Sequence, residues 1–223
     1  MARCIQCDAK LTEMFDALNF YKKPVKMCVN CIELWEENKI VLEGRCTKCL
    51  KKLDQGEHKC LDCAFLAAKF PLMNQLYCNY QYKGVVKQLI HQYKLLKDVA
   101  ICEVLAEQLT LPKQSYDLII PIPSPVERDI NRTFNPVTCV LDKQQVPYES
   151  ILQTKVRPKQ SLLGKLHRAR LDNPFEVSKH INLEDKSILL VDDIYTTGLT
   201  VHHAIEKVYV RKIRKFDVFT FAR

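Results

Sequence analysis

Eight of the eleven cysteines fall within the first 63 residues as four Cys-x-x-Cys pairs: Cys4 and Cys7, Cys28 and Cys31, Cys46 and Cys49, Cys60 and Cys63. A pair spaced this way turns two sulfurs toward one point, and two pairs complete the tetrahedral thiolate shell that zinc prefers. Redox chemistry of the thioredoxin kind is the competing use of Cys-x-x-Cys, but four repeated units without a strand–helix setting argue against it. In chain order the pairs give Cys4, Cys7, Cys28 and Cys31 for one ion, and Cys46, Cys49, Cys60 and Cys63 for a second. An interleaved assignment uses the same residues. All-thiolate sites are coordinatively closed, so the zinc acts as a structural staple for a segment too small to build its own core. His58, beside the second set, reads as a surface residue, and Cys78, Cys102 and Cys139 read as small core residues.

A second constellation runs from Ile188 to Thr200, "ILLVDDIYTTGLT". An apolar run cannot carry two unpaired carboxylates into a core, so Asp192 and Asp193 must face solvent or a ligand. The residues that follow offer backbone N–H groups, hydroxyls on Thr196, Thr197 and Thr200, and Gly198, which permits close backbone approach. That half suits a phosphate, and the aspartates suit ribose hydroxyls or a bound Mg²⁺. A ribose 5-phosphate satisfies both. Helix capping by the same residues is the plainer alternative. Walker-type and dinucleotide glycine loops do not occur in the chain.

These residues need elements to position them. "KSILLV" (186–191) and "YDLIIPIP" (116–123) read as buried strands, with a loop beginning near Pro121. The stretch after Cys63, "AFLAAKFPLMNQLYCNYQYKG", has strand-like alternation. It leads into helical spacing from Val85 on, with Val85, Val86, Leu89, Ile90 and Tyr93 on one face and Lys87 and Lys94 toward others. "NPVTCVLDKQQ" reads as a short helix, "YESILQTK" as a strand, "TVHHAIEKVYV" as a helix and "FDVFTFA" as a closing strand. Alternating strands and helices imply an α/β fold with a mostly parallel sheet covered on both faces, whose ligands bind beyond the strand carboxyl ends. The composition shift after the last cysteine pair divides the chain into a double zinc-ribbon domain, 1–68, and an α/β domain, 69–223.

Hydrophobic content of 47% and charged content of 27% over 223 residues fit a globular chain, and a net charge of +8 suits a phosphate-bearing partner. The amino-terminal residues lack the apolar stretch of a signal peptide and no segment has the length of a transmembrane helix, which places the chain in the cytoplasm.

The thirteen-residue stretch as a whole closely resembles the phosphoribosyl pyrophosphate (PRPP) motif of type I phosphoribosyltransferases. With the cysteine pairs ahead of it, with "YKGVVKQLIHQYKLLKD" (82–98), "PIPSPVERDINRTFN" (121–135), "KQSLLGKLHRARLDNPF" (159–175) and the final "VFTFAR", the chain resembles the ComF family over nearly its whole length. The resemblance implies a type I phosphoribosyltransferase fold in which Asp192, Asp193, Ile194, Tyr195, Thr196, Thr197, Gly198 and Thr200 hold PRPP and its Mg²⁺. Pyrophosphate falls to the loop from Ser124 to Asn135 with Arg128 and Arg132, where "RTFN" places Thr133 at a position that is commonly glycine. A basic loop carrying Lys165, Arg168 and Arg170, with Gly164 as hinge, covers the site. Two functions follow from the resemblance. One is PRPP-linked handling of incoming single-stranded DNA in natural competence, beside a helicase partner at the inner face of the membrane. The other is Mg²⁺-dependent transfer of ribose 5-phosphate to an unknown nitrogenous acceptor, with Asp192 and Asp193 as the catalytic pair.

Overall fold

The computed structural model describes residues 2–11, 24–54, 56–57, 60–155, 173–179, 181–209 and 211–223. Lys165 and Arg168 lie outside these residues, as do His58, Gly164 and Arg170. The strands are β1 (Leu76–Tyr80), β2 (Leu118–Pro121), β3 (Leu152–Thr154), β4 (Phe175–Val177), β5 (Ser187–Ile194) and β6 (Lys215–Ala222). The helices are α1 (Val29–Glu36), α2 (Leu61–Ala67), α3 (Gly84–His91), α4 (Ile101–Gln108), α5 (Val126–Arg132), α6 (Pro136–Lys143) and α7 (Leu199–Tyr209), and a π-helical turn over Gln92–Leu96 prolongs α3.

Four strands form one parallel sheet in the order β1-β6-β5-β2. The central strands are apolar on both sides, as expected where helices cover both faces. Pleating sends Leu189 and Val191 of β5 toward one cluster, with Val86, Ile90 and Tyr93 of the α3 segment, Leu105 of α4 and Val140 of α6. Ile188 and Leu190 point the other way, onto Val201, Ala204 and Ile205 of α7 and Phe175 of β4. Each cysteine region joins one of these clusters. Cys4, Cys31, Met27 and Trp35 lie in the first, and Cys49, Cys60, Cys63 and Leu50 in the second. The knuckles therefore grip the sheet at its edge strand from opposite sides, helped by backbone bonds from Ile40 N–H to Asn79 and from Leu76 N–H to Lys48.

Three local expectations change. "AFLAAKF" is not extended: Ala64 to Ala67 complete α2, begun at the last cysteine pair, and the strand starts only at Leu76. The strand expected in "YESILQTK" is the short β3, which pairs antiparallel with β4 and stays outside the parallel sheet. The long helical stretch breaks at Lys97, whose φ of 61° ends the π turn before α4 begins. The apolar periodicity continues across that break because both pieces pack on the same cluster. Periodicity reports the shared face, not the continuity of the backbone.

Candidate functional site

In each cysteine quartet the four sulfurs lie within 4.8 Å of one another, in the groupings Cys4, Cys7, Cys28, Cys31 and Cys46, Cys49, Cys60, Cys63. The interleaved assignment is not the one this geometry favours. Sulfur separations of 3.6 Å for Cys7 and Cys28, 3.7 Å for Cys46 and Cys63, and 3.5 Å for Cys49 and Cys60 approach the edge of a zinc tetrahedron. Zn–S bonds of about 2.3 Å place tetrahedral sulfurs about 3.8 Å apart. Burial opposes ionisation of Cys4, but the amides of Cys28, Cys7 and Gln6 outweigh it and draw the thiol down to about 6. Burial likewise opposes Cys46, whose thiol the amides of Cys49 and Lys48 draw down. Cys31 and Cys63 are pushed up by burial and by the neighbouring sulfurs. Each quartet thus has one sulfur poised to ionise first, a donor set that fits a zinc ion.

The acidic pair stands at the end of β5, and the pleat separates its two members. Asp193 shares the face of Val191 and is 9% exposed; its Oδ2 lies 2.5 Å from Lys94 Nζ. Asp192 is half-buried on the opposite face, and its Oδ1 accepts from the Asp193 amide at 2.8 Å. Burial, and then the charge of Asp193, push Asp192 up to about 8. One carboxylate is thus compensated by a lysine, while burial and the charge of its neighbour disfavour ionisation of the other.

Past the strand, Tyr195 turns inward and is 2% exposed, whereas Thr196, Thr197 and Thr200 stay exposed. Gly198 lies beneath them with φ +78°, and a Cβ there would fall 2.2 Å from Tyr195 Oη and 3.1 Å from Leu66 Cδ1. Only glycine satisfies both the dihedral and the contact. The loop is therefore pinned from below while its threonines remain exposed above. Thr197 Oγ1 also accepts from Leu199 N–H at 3.5 Å, a weak cap on the helix that follows.

Beside Asp193 a cavity of about 430 Å³ opens between the π turn and α5, lined by Lys94, Lys97, His91, Arg128, Arg132 and Ile194 among others. Arg132 is 6% exposed; its Nε donates to the Lys94 carbonyl at 3.0 Å, and Nη1 forms an ion pair with Asp129 Oδ1 at 3.5 Å. The cluster of cations lining the cavity suits a polyanion. Thr133, after α5, adopts φ +71°, a left-handed conformation that a β-branched residue takes only under strain. Glycine avoids that strain.

The structure therefore brings together Asp192, Asp193, Ile194 and the Gly198 loop at one strand end, with Arg128 and Arg132 at the neighbouring cavity. Tyr195 lies under the loop. Two residues escaped the sequence reading. Lys94 sits on the expected helix but off its core face; the π turn, which inserts a residue into the helical repeat, aims it at Asp193. Arg223 reaches the loop only through tertiary packing.

These features define a class: an α/β chain with a parallel sheet whose edge is held by two cysteine quartets suited to zinc. Along nearly its whole length the chain is similar to two curated competence proteins. It is 27% identical over 210 residues to "Competence protein ComFC" of Streptococcus pneumoniae strain ATCC BAA-255 / R6, covering 88% of this chain and 86% of that protein. It is also 27% identical over 212 residues to "Competence protein ComFC" of Bacillus subtilis strain 168, covering 90% and 86%. No family model matches the chain. Among solved structures, it is similar to the allosteric regulatory enzyme of purine biosynthesis at TM-score 0.33 and 16% identity, over 57% of this chain and 25% of the solved one. It is also similar to a hypoxanthine phosphoribosyltransferase from Staphylococcus aureus at TM-score 0.30 and 16% identity, over 56% and 61%. No helix of the described residues is long and apolar enough to cross a membrane.

Proposed function

We propose that the chain binds PRPP with Mg²⁺ at the carboxyl end of β5 and serves DNA uptake in natural competence, handling incoming single-stranded DNA. One observation carries the ligand reading: an acidic pair, a glycine-pinned hydroxyl loop and a cationic cavity converge on the end of a single strand. Asp192 and Asp193 would meet the ribose hydroxyls or the Mg²⁺, which supplies charge neutralisation. Thr196, Thr197, Gly198 and Thr200 would hold the 5-phosphate. Arg128, Arg132 and Lys94 would hold the pyrophosphate, with Lys165 and Arg168 closing over it. In this reading residues 1–68 are the zinc-bearing part and residues 69–223 the ligand-binding part. The competence role, a helicase partner and a place at the inner membrane face rest on the ComFC likeness.

Calorimetric titration of PRPP with Mg²⁺ tests the site. Replacing Asp192 and Asp193 by alanine is expected to weaken Mg²⁺-dependent binding about 100-fold; undiminished affinity refutes the assignment. A DNA role predicts single-strand affinity that falls steeply with added salt, because cationic contacts release counterions. A flat salt response counts against it. The second reading is transfer to a nitrogenous acceptor, in which the cationic cavity would stabilise departing pyrophosphate. Pyrophosphate release from PRPP in the presence of candidate bases separates the two.

A further inference from the structure

Arg223 follows β6 and spans the distance between the second cysteine quartet and the hydroxyl loop. Its backbone is fixed at both polar atoms, N–H to the Tyr80 carbonyl at 3.0 Å and carbonyl from the Tyr82 amide at 2.8 Å. Its guanidinium then serves two regions at once. Nε donates to the Cys49 carbonyl at 2.5 Å, and Nη2 lies 3.9 Å from Cys49 Sγ. Nη1 donates to the Thr196 carbonyl at 3.4 Å, and Cζ sits 5.4 Å from the centre of the Tyr195 ring. A rigid planar fork transmits position between its partners better than a flexible ammonium does. The same ring supports Gly198, with Leu66 of α2 close by, and Leu66 stands one helical turn beyond Cys63. Among the described residues no hydrogen bond joins the first quartet to this loop.

We propose that Arg223 is a positioning residue that couples the second quartet, and the zinc it suits, to the loop from Tyr195 to Thr200. Order in that loop then depends on the second quartet and not on the first. A metal held by Cys49 fixes the knuckle backbone and with it the carbonyl that anchors Arg223. Without the metal that anchor drifts, and the loop loses the support of the Thr196 bond and the Tyr195 ring. The consequence for phosphate capture rests on the ligand reading above; the coupling does not.

Hydrogen exchange of the full zinc-loaded chain, read by mass spectrometry, tests the coupling without any ligand. In Arg223→Ala, zinc content is expected to stay at the wild-type value while amides of residues 195–200 exchange about tenfold faster, the effect of one lost charged hydrogen bond. Amides of Leu189 to Val191 should not change. Arg223→Lys, which keeps the charge but not the fork, should behave like alanine. Cys63→Ser should reproduce the loop change and Cys4→Ser should not. Unchanged loop exchange in Arg223→Ala overturns the coupling even where a cysteine variant fails to fold. Faster exchange spread equally through β5 overturns the positioning role. A PRPP and Mg²⁺ titration of Arg223→Ala then separates the two layers: about tenfold weaker binding supports both. Faster loop exchange with unchanged affinity keeps the coupling and overturns the phosphate site.

Discussion

The two cysteine quartets share one ligand set, yet they are held by different neighbours. The first has an exposed member, Cys7, and its knuckle is anchored by Trp35, whose fully buried ring meets Tyr80 edge-on at 4.7 Å and whose Nε1 donates to Gln6 at 2.8 Å. Met27 beside it receives a 3.0 Å contact from Gln108 of α4. All of this lies at the edge strand and its covering helices. The second quartet has three buried members and packs with Leu66, Tyr195 and Arg223 against the end of the sheet where the loop begins. Equal donor sets therefore stand in unequal surroundings. A closed thiolate site contributes stability wherever it stands, but it influences a ligand loop only where a short chain of contacts connects them.

The largest expected effect tests this asymmetry directly. Cys63→Ser should lower unfolding free energy by about 4 kcal/mol or more, through lost metal in a buried shell, and should weaken PRPP binding as well. Cys4→Ser should cost stability but leave affinity nearly intact; thermal melts paired with calorimetry compare them, and equal losses of affinity would erase the distinction. Next come the apolar anchors. Trp35→Ala should cost about 3–5 kcal/mol and Leu66→Ala about 2–4 kcal/mol in denaturant unfolding, and only the second should also disturb binding. A smaller change sharpens the picture on the α3 face of the sheet. Lys94→Met leaves Asp193 without its 2.5 Å partner and should cost about 2–3 kcal/mol, largely restored when Asp193→Asn is added. The smallest effect is a gain: Thr133→Gly relieves a residue at φ +71° and should stabilise the chain by about 1 kcal/mol, seen as a higher melting temperature.

Much of this was legible before any coordinates. Cys-x-x-Cys spacing is a local property, so each knuckle declares itself, and chain order supplied the grouping that the sulfur positions favour. The apolar run ending in Asp192 and Asp193 announced a strand end, and Gly198 announced a close backbone approach. Other features were hidden because they depend on residues far apart in the chain. Apolar spacing across 85–109 gave one helix where the chain forms a helix, a π turn and a second helix, because the stripe faces one cluster throughout. Lys94 read as lying off the core face, since a 3.6-residue repeat contains no inserted residue. β3 carried a strand pattern, but nothing in its residues said that its partner would be β4.

The sequence by itself determined the ligand chemistry: thiolates in closed sets, paired carboxylates, hydroxyls around a glycine, and a basic surplus of +8. Those are properties of residue types and of spacings under about a dozen positions, which the backbone enforces locally. Only the tertiary structure decided how they are shared out. Pleating at the end of β5 gave Asp193 to Lys94 and left Asp192 on the other face, held up at about 8. Packing then set the second quartet, and not the first, beneath the loop, joined to it by an arginine 174 positions from Cys49. Sequence distance says nothing of such a contact; it exists because β6 ends beside β5 in the sheet, and a guanidinium there reaches both neighbours.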